Sequence, residues 1–417
     1  MIETKQATYR DVLSEPVFRT LFLTRTLSIA AGSLRILALS VLVFDRTGSP
    51  VLTALTFAIG FVPQVVGGTL LAALADRLRP RPLIVTGFLL DAAAAVAQAL
   101  LPLPVGASLG LLAAVAVFGP VFTGASNRLI AEQLTGDAYV LGRALSSVAG
   151  GGAQLLGLAF GGAVVAALSP GWALLAAAAG GLVSAIWVRL RLPDFAAPPA
   201  AEGSAVGRSW QVTALLLRDR PVRRLLLVQW LPPAFIVGAE ALVVPYAAER
   251  GHGSAAAGLI LACAPLGMVA GNLVYSRLLR PATRERLVAA VISGLSGPLV
   301  LLALPVPTAV AMAVMFLAGA AFCYSLGVQR PFLDVLSPEL RGQAFALQFT
   351  GLMTMQGVGP VLLGLLAERT STGAAMVVAG VGAAALGCWW SLTSGITPRQ
   401  GAKAIDRDVL LTNVSMG

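Results

Sequence analysis

The chain has 417 residues, of which 57% are hydrophobic and only 12% are charged, and its formal net charge is +10. A soluble protein would carry about 25% charged residues, and the mean hydropathy of +0.84 indicates that water is not the main solvent of the folded chain. The basic residues lie in alternate short connections rather than in one polar segment, so the charge does not indicate a nucleic-acid-binding protein.

Apolar stretches recur from residue 18 to residue 396 with short polar breaks between them. Each stretch is about 20 residues long, enough for a helix to cross a bilayer core about 30 Å thick. The stretches lack the alternation that a membrane barrel needs. Residues 1–15 are polar and carry no small-residue cleavage site, so we expect the first span to be retained. The sequence predicts an all-α membrane protein with twelve transmembrane helices.

The breaks divide the spans into two sets of six. We predict an N-terminal six-helix half at residues 1–195 and a C-terminal six-helix half at residues 221–417. Residues 196–220 between them are rich in Pro, Ala and Gly, which is typical of a linker. A basic run follows this segment, so we expect it to lie in the cytoplasm.

Arginine residues indicate the orientation of the chain in the membrane. They are concentrated in alternate connections, and the other connections carry only Arg46, Arg250 and Arg369. The positive-inside rule then predicts that both termini are cytoplasmic. Alanine is abundant and the only lysines are Lys5 and Lys403, a bias that suggests a GC-rich bacterial genome. We therefore expect a multi-pass protein of the bacterial cytoplasmic (inner) membrane.

The two halves resemble each other in sequence. At an offset of 205 residues, Pro16, Arg19 and Gly48 align with Pro221, Arg224 and Gly253, and at an offset of 202 the aligned pairs include Arg128 with Arg330, Gln154 with Gln356, Gly157 with Gly359 and Gly162 with Gly364. Such a repeat predicts two pseudo-symmetric bundles that rock about a site near the membrane midplane, giving alternating access.

The segment LLAALADRLRPRPLIV at residues 70–85 resembles the loop between spans two and three of the major facilitator superfamily. Asp76, Arg77 and Arg81 match charged positions of that loop, whereas Arg79 and Pro80 depart from it. The resemblance implies the major facilitator fold and a gating loop that holds one state closed, with Arg128 or Arg330 as partners of Asp76 and Arg77. The alternative is an ordinary positively charged connection.

Glycines in span five, within QLLGLAFGG at residues 154–162, resemble an exporter signature of that superfamily. Gly157, Gly161 and Gly162 match it, and Gly359 and Gly364 keep the same spacing in span eleven. Such glycines also allow close helix packing in any bundle. The overall residue pattern of the first half resembles that of the bacterial, especially actinobacterial, members of the superfamily that export drugs, macrolides and siderophores.

Four ionisable residues are predicted to lie within the spans: Arg25, Arg35, Asp91 and Glu240. Charges there need partners or a wet cavity. Arg25 is close enough to a span end to extend to the interface, and Asp91 fits either a structural ion pair or proton coupling. The repeat places Arg35 and Glu240 at equivalent positions, so we expect them to face each other across the transport path. The alternative is a fixed structural arrangement in which Arg35 is paired with Asp91 and Glu240 with a local donor.

The features together predict a secondary transporter. We expect a monomeric, proton-coupled exporter of a hydrophobic or amphipathic small molecule, with no cofactor or metal; the alternative is an importer or facilitator of a small nutrient. An enzyme would need a catalytic constellation, such as an HExxH helix or paired intramembrane acids, that the sequence lacks. The chain also has no phosphate-binding GxxxxGK[ST] loop, so an ion gradient is the expected energy source.

Overall fold

The computed structural model describes residues 8–71, 78–196, 206–337 and 340–394. We number the membrane-spanning elements as spans in chain order. In the N-terminal half they are span 1 (Pro16–Thr47), span 2 (Pro50–Ala58 and Val62–Leu70), span 3 (Pro80–Leu100), span 4 (Val105–Gln133), span 5 (Gly136–Ala167) and span 6 (Pro170–Arg191).

In the C-terminal half they are span 7 (Arg220–Ala241 and Val243–Glu249), span 8 (Ser254–Leu278), span 9 (Pro281–Ser293 and Ser296–Leu301), span 10 (Thr308–Ala320 and Tyr324–Asp334, joined by the 3-10 turn Ala321–Cys323), span 11 (Arg341–Arg369) and span 12 (Thr372–Ser394). A short helix, Tyr9–Ser14, precedes span 1.

Within the described residues, eleven of these elements are long and apolar enough to cross a membrane. Span 9 is the exception because it is broken into pieces of 13 and 6 residues. Its two pieces follow each other directly and together cover a length of about 30 Å. The predicted all-α membrane fold is confirmed, and the prediction of twelve helices is approximately supported.

Proline and short polar caps set where the spans begin. Pro16, Pro50 and Pro170 each lie in the first turn of a span, where the missing N–H would have no helical partner. The Ser49 hydroxyl accepts a hydrogen bond from Leu52 N–H, and the Asp219 carboxylate accepts one from Val222 N–H. These local signals specify where the spans start without the need for tertiary contacts.

Three breaks within spans also follow from proline. Pro63, Pro245 and Pro298 lie four residues after Ile59, Ala241 and Gly294, the points at which spans 2, 7 and 9 are interrupted. A proline cannot donate the hydrogen bond to the carbonyl four residues earlier, so the helix opens there. Other prolines, including Pro265 and Pro360, lie within continuous helices, so packing decides which prolines break a span.

The second part of the predicted linker is helical. The linker helix Val206–Arg218 precedes span 7. Leu216 is buried in a cluster with Val222 and Leu226 of span 7 and Leu340 before span 11. This part of the segment therefore packs on the C-terminal half.

The buried core shows how the two halves meet. We call the side of the bundle where span 1 begins and span 12 ends the termini side, and the opposite side the distal side. On the distal side a single cluster joins both halves, including Leu39 and Leu158 with Ile236 and Leu261. On the termini side, the described residues form two separate clusters, one in each half. The halves are therefore joined distally and the bundle is open toward the termini side.

Candidate functional site

A cavity of about 370 Å³ lies within the N-terminal half, between spans 1, 2, 3 and 4. Its wall contains apolar side chains, among them Ile29, Leu112, Val115 and Phe122. Polar and charged side chains also line it: Thr24, Arg25, Ser28, Arg35, Gln64, Asp91, Thr123 and Ser126. The volume falls within the usual range for small-molecule sites. The site therefore combines an apolar surface with a small number of charges.

Arg35 is held in a buried polar network at one end of this cavity. Its Nη1 forms an ion pair with Asp91 Oδ1, and its Nε donates to Gln98 Oε1 at 3.0 Å. Gln98 Nε2 donates in turn to the carbonyl oxygen of Ser108 at 2.8 Å. The Arg35 side chain is 3% exposed and that of Asp91 33% exposed. Arg35 Nη2 is buried without a hydrogen-bond partner among the described residues.

Arg25 lies on the same wall, ten residues before Arg35 in span 1. Its Nη1 donates to the side-chain oxygen of Asn127 in span 4 at 2.8 Å. Among the described residues Arg25 has no ion pair with an acid. Ten residues of helix separate the Cα atoms of Arg25 and Arg35 by about 15 Å along the helix axis.

Glu240 lies in the last turn of the first piece of span 7, just before the break at Leu242. It is partly exposed, and no hydrogen bond or ion pair joins its side chain to another described residue. It is not among the residues that line the cavity. In this state Arg35 is paired with Asp91 and not with Glu240. The Arg35–Asp91 pair is the alternative that the sequence left open.

Only some residues of the expected gating loop are among those described. Asp76 and Arg77 lie outside the described residues. Arg81 donates to the carbonyl oxygen of Arg189 at the end of span 6. Each of the two expected partners of the loop has an acid one helical turn away: Arg128 lies 3.4 Å from Glu132, and Arg330 lies 3.9 Å from Asp334.

The glycines of spans 5 and 11 lie where helices approach closely. A Cβ atom added at Gly157 would collide with the Ala30 carbonyl of span 1, and one added at Gly359 with the Ala234 carbonyl of span 7. Gly161 faces Leu34 of span 1, also within the N-terminal half. The aligned residues of the repeat thus make equivalent contacts, span 5 to span 1 and span 11 to span 7.

Two further glycines lie at contacts between the halves. A Cβ atom added at Gly162 would lie 2.9 Å from the Cα atom of Gly258 in span 8, and one added at Gly364 would lie 2.9 Å from the Cβ atom of Ala54 in span 2. Both contacts are on the distal side. They bring the halves together there in a pseudo-symmetric way.

A polar contact reinforces the distal closure. Ser49 Oγ donates to Glu368 Oε2 at 2.8 Å, and Val51 N–H donates to the same oxygen at 3.2 Å. The carboxylate of span 11 thereby accepts hydrogen bonds at the N-terminus of span 2, where the helix dipole favours negative charge. This contact joins the two halves, and it must break if the distal side opens.

Sequence reasoning did not assign roles to Gln98, Asn127 or Glu368. Gln98 follows Asp91 by two helical turns and so lies on the same face of span 3, a spacing that is visible in the sequence. Asn127 is next to Arg128, but nothing in the sequence links it to Arg25. Glu368 lies at a polar break that had no distinguishing pattern.

The sequence profile described as Major Facilitator Superfamily matches residues 21–329. No curated protein sequence matches significantly. A solved bacterial homologue of the human lysosomal transporter Spinster, in an inward-facing and unoccupied conformation, is 16% identical, with a TM-score of 0.69; 91% of this chain and 96% of that chain are covered.

Two other solved transporters are similar in fold. The nucleoside transporter NupG is 13% identical with a TM-score of 0.74, covering 91% of this chain and 100% of that one. A POT family transporter in complex with 5-aminolevulinic acid is 10% identical with a TM-score of 0.72, covering 91% and 96%. At these identities the similarity establishes the fold and leaves the substrate open.

Proposed function

Because this chain belongs to the major facilitator superfamily, we propose that it is a secondary transporter that exports hydrophobic or amphipathic organic compounds in exchange for protons. The multi-pass fold and the family indicate a transporter and not an enzyme. The observation that carries the proposal is the cavity of spans 1 to 4, which places charged groups within a largely apolar wall. An amphipathic compound matches such a wall better than a sugar, whose hydroxyl groups need a denser polar lining.

Alternating access supplies the mechanism of this proposal. The halves share a core on the distal side and have separate cores on the termini side. Rocking of one half against the other would separate the Ser49–Glu368 contact and bring the termini side together. Asp76 and Arg77, with Arg81, Arg128 and Arg330, are proposed to hold that second state closed. Substrate would enter from the termini side and leave from the distal side.

Glu240 is the proposed proton carrier. It is an acid within a span, with no hydrogen-bonding or ionic partner among the described residues, and it precedes a helix break. A carboxyl group in this position is free to gain and lose a proton as the bundle changes state. Asp91 is held by Arg35 and is proposed to respond to substrate rather than to act as the primary proton site.

The proposed function predicts gradient-dependent export. Efflux-deficient bacteria that express the protein should accumulate less of some drugs or siderophores than control cells, and a protonophore should remove the difference. Glu240→Gln should lower export at least about tenfold and flatten its dependence on external pH, because the amide cannot carry the proton.

Glu249→Gln is the matched control for Glu240, since it lies in the same span and its amide oxygen can still accept the hydrogen bond from Thr372. It should export normally. Export by the wild type that persists with a protonophore would exclude proton coupling, and normal export by Glu240→Gln would exclude this residue as the carrier.

The proposed location is the bacterial cytoplasmic membrane, with both termini in the cytoplasm. A reporter fused after Gly417 should therefore be active only as a cytoplasmic reporter, and one inserted at Gly251, between spans 7 and 8, only as an external reporter. Gly251 is a suitable insertion point because it lies in a turn with φ +71° and open space around it. Activity of both fusions on the same side would contradict the orientation.

An importer or facilitator of a small nutrient is the second candidate. Its basis is that the solved transporters of similar fold include a nucleoside transporter and a POT family transporter in complex with 5-aminolevulinic acid, and these compounds are small and polar. Proteoliposomes loaded with buffer would distinguish the two candidates: saturable uptake of labelled nucleosides or short peptides, without export of amphipathic compounds, would support the importer.

A further inference from the structure

The cavity of the N-terminal half carries an excess of positive charge. Arg25 and Arg35 line it together with a single acid, Asp91. Asp91 is paired with Arg35, so the charge of Arg25 is left without a counter-ion among the described residues. Arg143 of span 5 is exposed and lies close enough to Arg25 for their charges to repel each other. No ion pair within the described residues neutralises Arg143.

The hydrogen-bonding capacity of both cavity arginines is also incompletely used. Arg25 makes one side-chain hydrogen bond, from Nη1 to Asn127, so its other guanidinium N–H groups are available. Arg35 Nη2 is buried and has no partner among the described residues. A guanidinium group presents a planar set of donors that matches an oxyanion such as a carboxylate. Two such groups facing one cavity favour an anion over a cation.

We propose that this cavity binds an amphipathic oxyanion, with Arg25 as the anchor of its charged group and the apolar wall holding the rest of the molecule. The proposal deepens the proposed function, on which it rests, by assigning a charge to the substrate. Arg25 is the better anchor because it is partly exposed and has no acidic partner among the described residues. Arg35, in contrast, already forms an ion pair with Asp91 and a hydrogen bond with Gln98. At the other end of the cavity the charge of Arg35 is balanced by Asp91, and Phe122 and Val115 line the same cavity.

Three probes of equal chain length test the charge: octanoate, octylammonium and octanol. Each is labelled and added to the full-length protein in phosphatidylcholine nanodiscs, with empty nanodiscs subtracted. Octanoate should bind most tightly and octylammonium most weakly. Stronger binding of octylammonium, or equal binding of octanoate and octanol, would overturn the proposal.

Arg25→Gln should weaken octanoate binding about tenfold, as expected for loss of a hydrogen bond to a charged group, and should leave octanol binding unchanged. Arg25→Lys should give an intermediate affinity because it keeps the charge and loses the planar donor set. Arg46→Gln is the matched control: it removes one arginine from the same span, but Arg46 is exposed on the distal side and donates to the Leu103 carbonyl. An equal loss in Arg25→Gln and Arg46→Gln would contradict the assignment.

The oxyanion could belong to a free molecule or to a membrane lipid. Phosphatidylglycerol added to the nanodiscs would displace octanoate if an anionic lipid occupies the site, and would leave octanoate binding unchanged if the site takes free anions. With either result, Arg25→Gln should still weaken octanoate binding in nanodiscs of phosphatidylcholine alone.

Transport assays show whether the oxyanion site or the proposed exporter function is at fault. Proton-dependent export restricted to cationic compounds would overturn the oxyanion site and keep the exporter. Arg25-dependent octanoate binding without proton-driven export of any compound would keep the site and overturn the exporter.

Discussion

Asp91→Ala is expected to lower the free energy of unfolding by about 3–5 kcal/mol, because it leaves the Arg35 charge buried and without its counter-ion. Arg35→Met should cost less, since the Asp91 side chain left behind is 33% exposed while that of Arg35 is only 3% exposed. The double variant Arg35→Met with Asp91→Leu should recover much of the loss, because neither charge remains. All three should fail to transport. Thermal unfolding of the purified proteins, monitored by size-exclusion chromatography, measures the relative stability of the three variants.

The surface pair Arg79–Asp194 is the control for this experiment. It lies in the same half, its two charges are 3.5 Å apart, and its side chains are 64% and 47% exposed. Asp194→Ala should therefore cost no more than about 1 kcal/mol. If Asp91→Ala is no more destabilising than Asp194→Ala, the Arg35–Asp91 pair is not the buried structural element described above.

Gly162→Leu is expected to reduce transport at least about fivefold by preventing the distal contact between spans 5 and 8. A Cβ atom at this position already meets the Cα atom of Gly258 and the carbonyl oxygen of Ser254, each at 2.9 Å. Overpacking of this kind costs about 1–3 kcal/mol, and the cost falls only on the state in which the distal side is closed. The population should shift toward the state that is open on the distal side.

Distances between spin labels on the distal ends of spans 5 and 8 should report this shift as a longer mean distance. Gly152→Leu is the matched control, since it places the same side chain in the same span at a position with no atom within 4 Å. It should leave both the distance and transport unchanged. A normal distance distribution in Gly162→Leu would show that the distal contact does not depend on this glycine.

Much of the fold follows from local sequence. The positions of the spans are set by hydrophobic length, and their starts by proline and capping side chains such as Ser49 and Asp219. The repeat between the halves is also visible, and the structure shows its aligned glycines, Gly157 and Gly359, in equivalent helix contacts. The sequence places Arg35, Asp91 and Glu240 within spans because charges interrupt otherwise apolar stretches there.

Which of these groups contact each other depends on how the helices pack. Arg35 and Asp91 are 56 residues apart in sequence, and Ser49 and Glu368 are 319 apart. Such pairings depend on how each helix is rotated about its axis and on which neighbours it packs against, and a hydrophobic pattern of low polarity specifies neither. For the same reason the sequence left Arg35 with two possible partners, and packing brought Asp91 and Gln98 to it.

The side on which the bundle is open also lies beyond the sequence. The two cores are separate on the termini side and joined on the distal side. The proposed alternating access requires a second arrangement of the same helices. The helices, their approximate number and the internal repeat can be read from the sequence, because they depend on local hydrogen bonding and on the match to a bilayer. The ionic partners, the cavity and the closed side depend on packing between helices that are distant in the chain. The free energy of that packing cannot be predicted from a local sequence pattern.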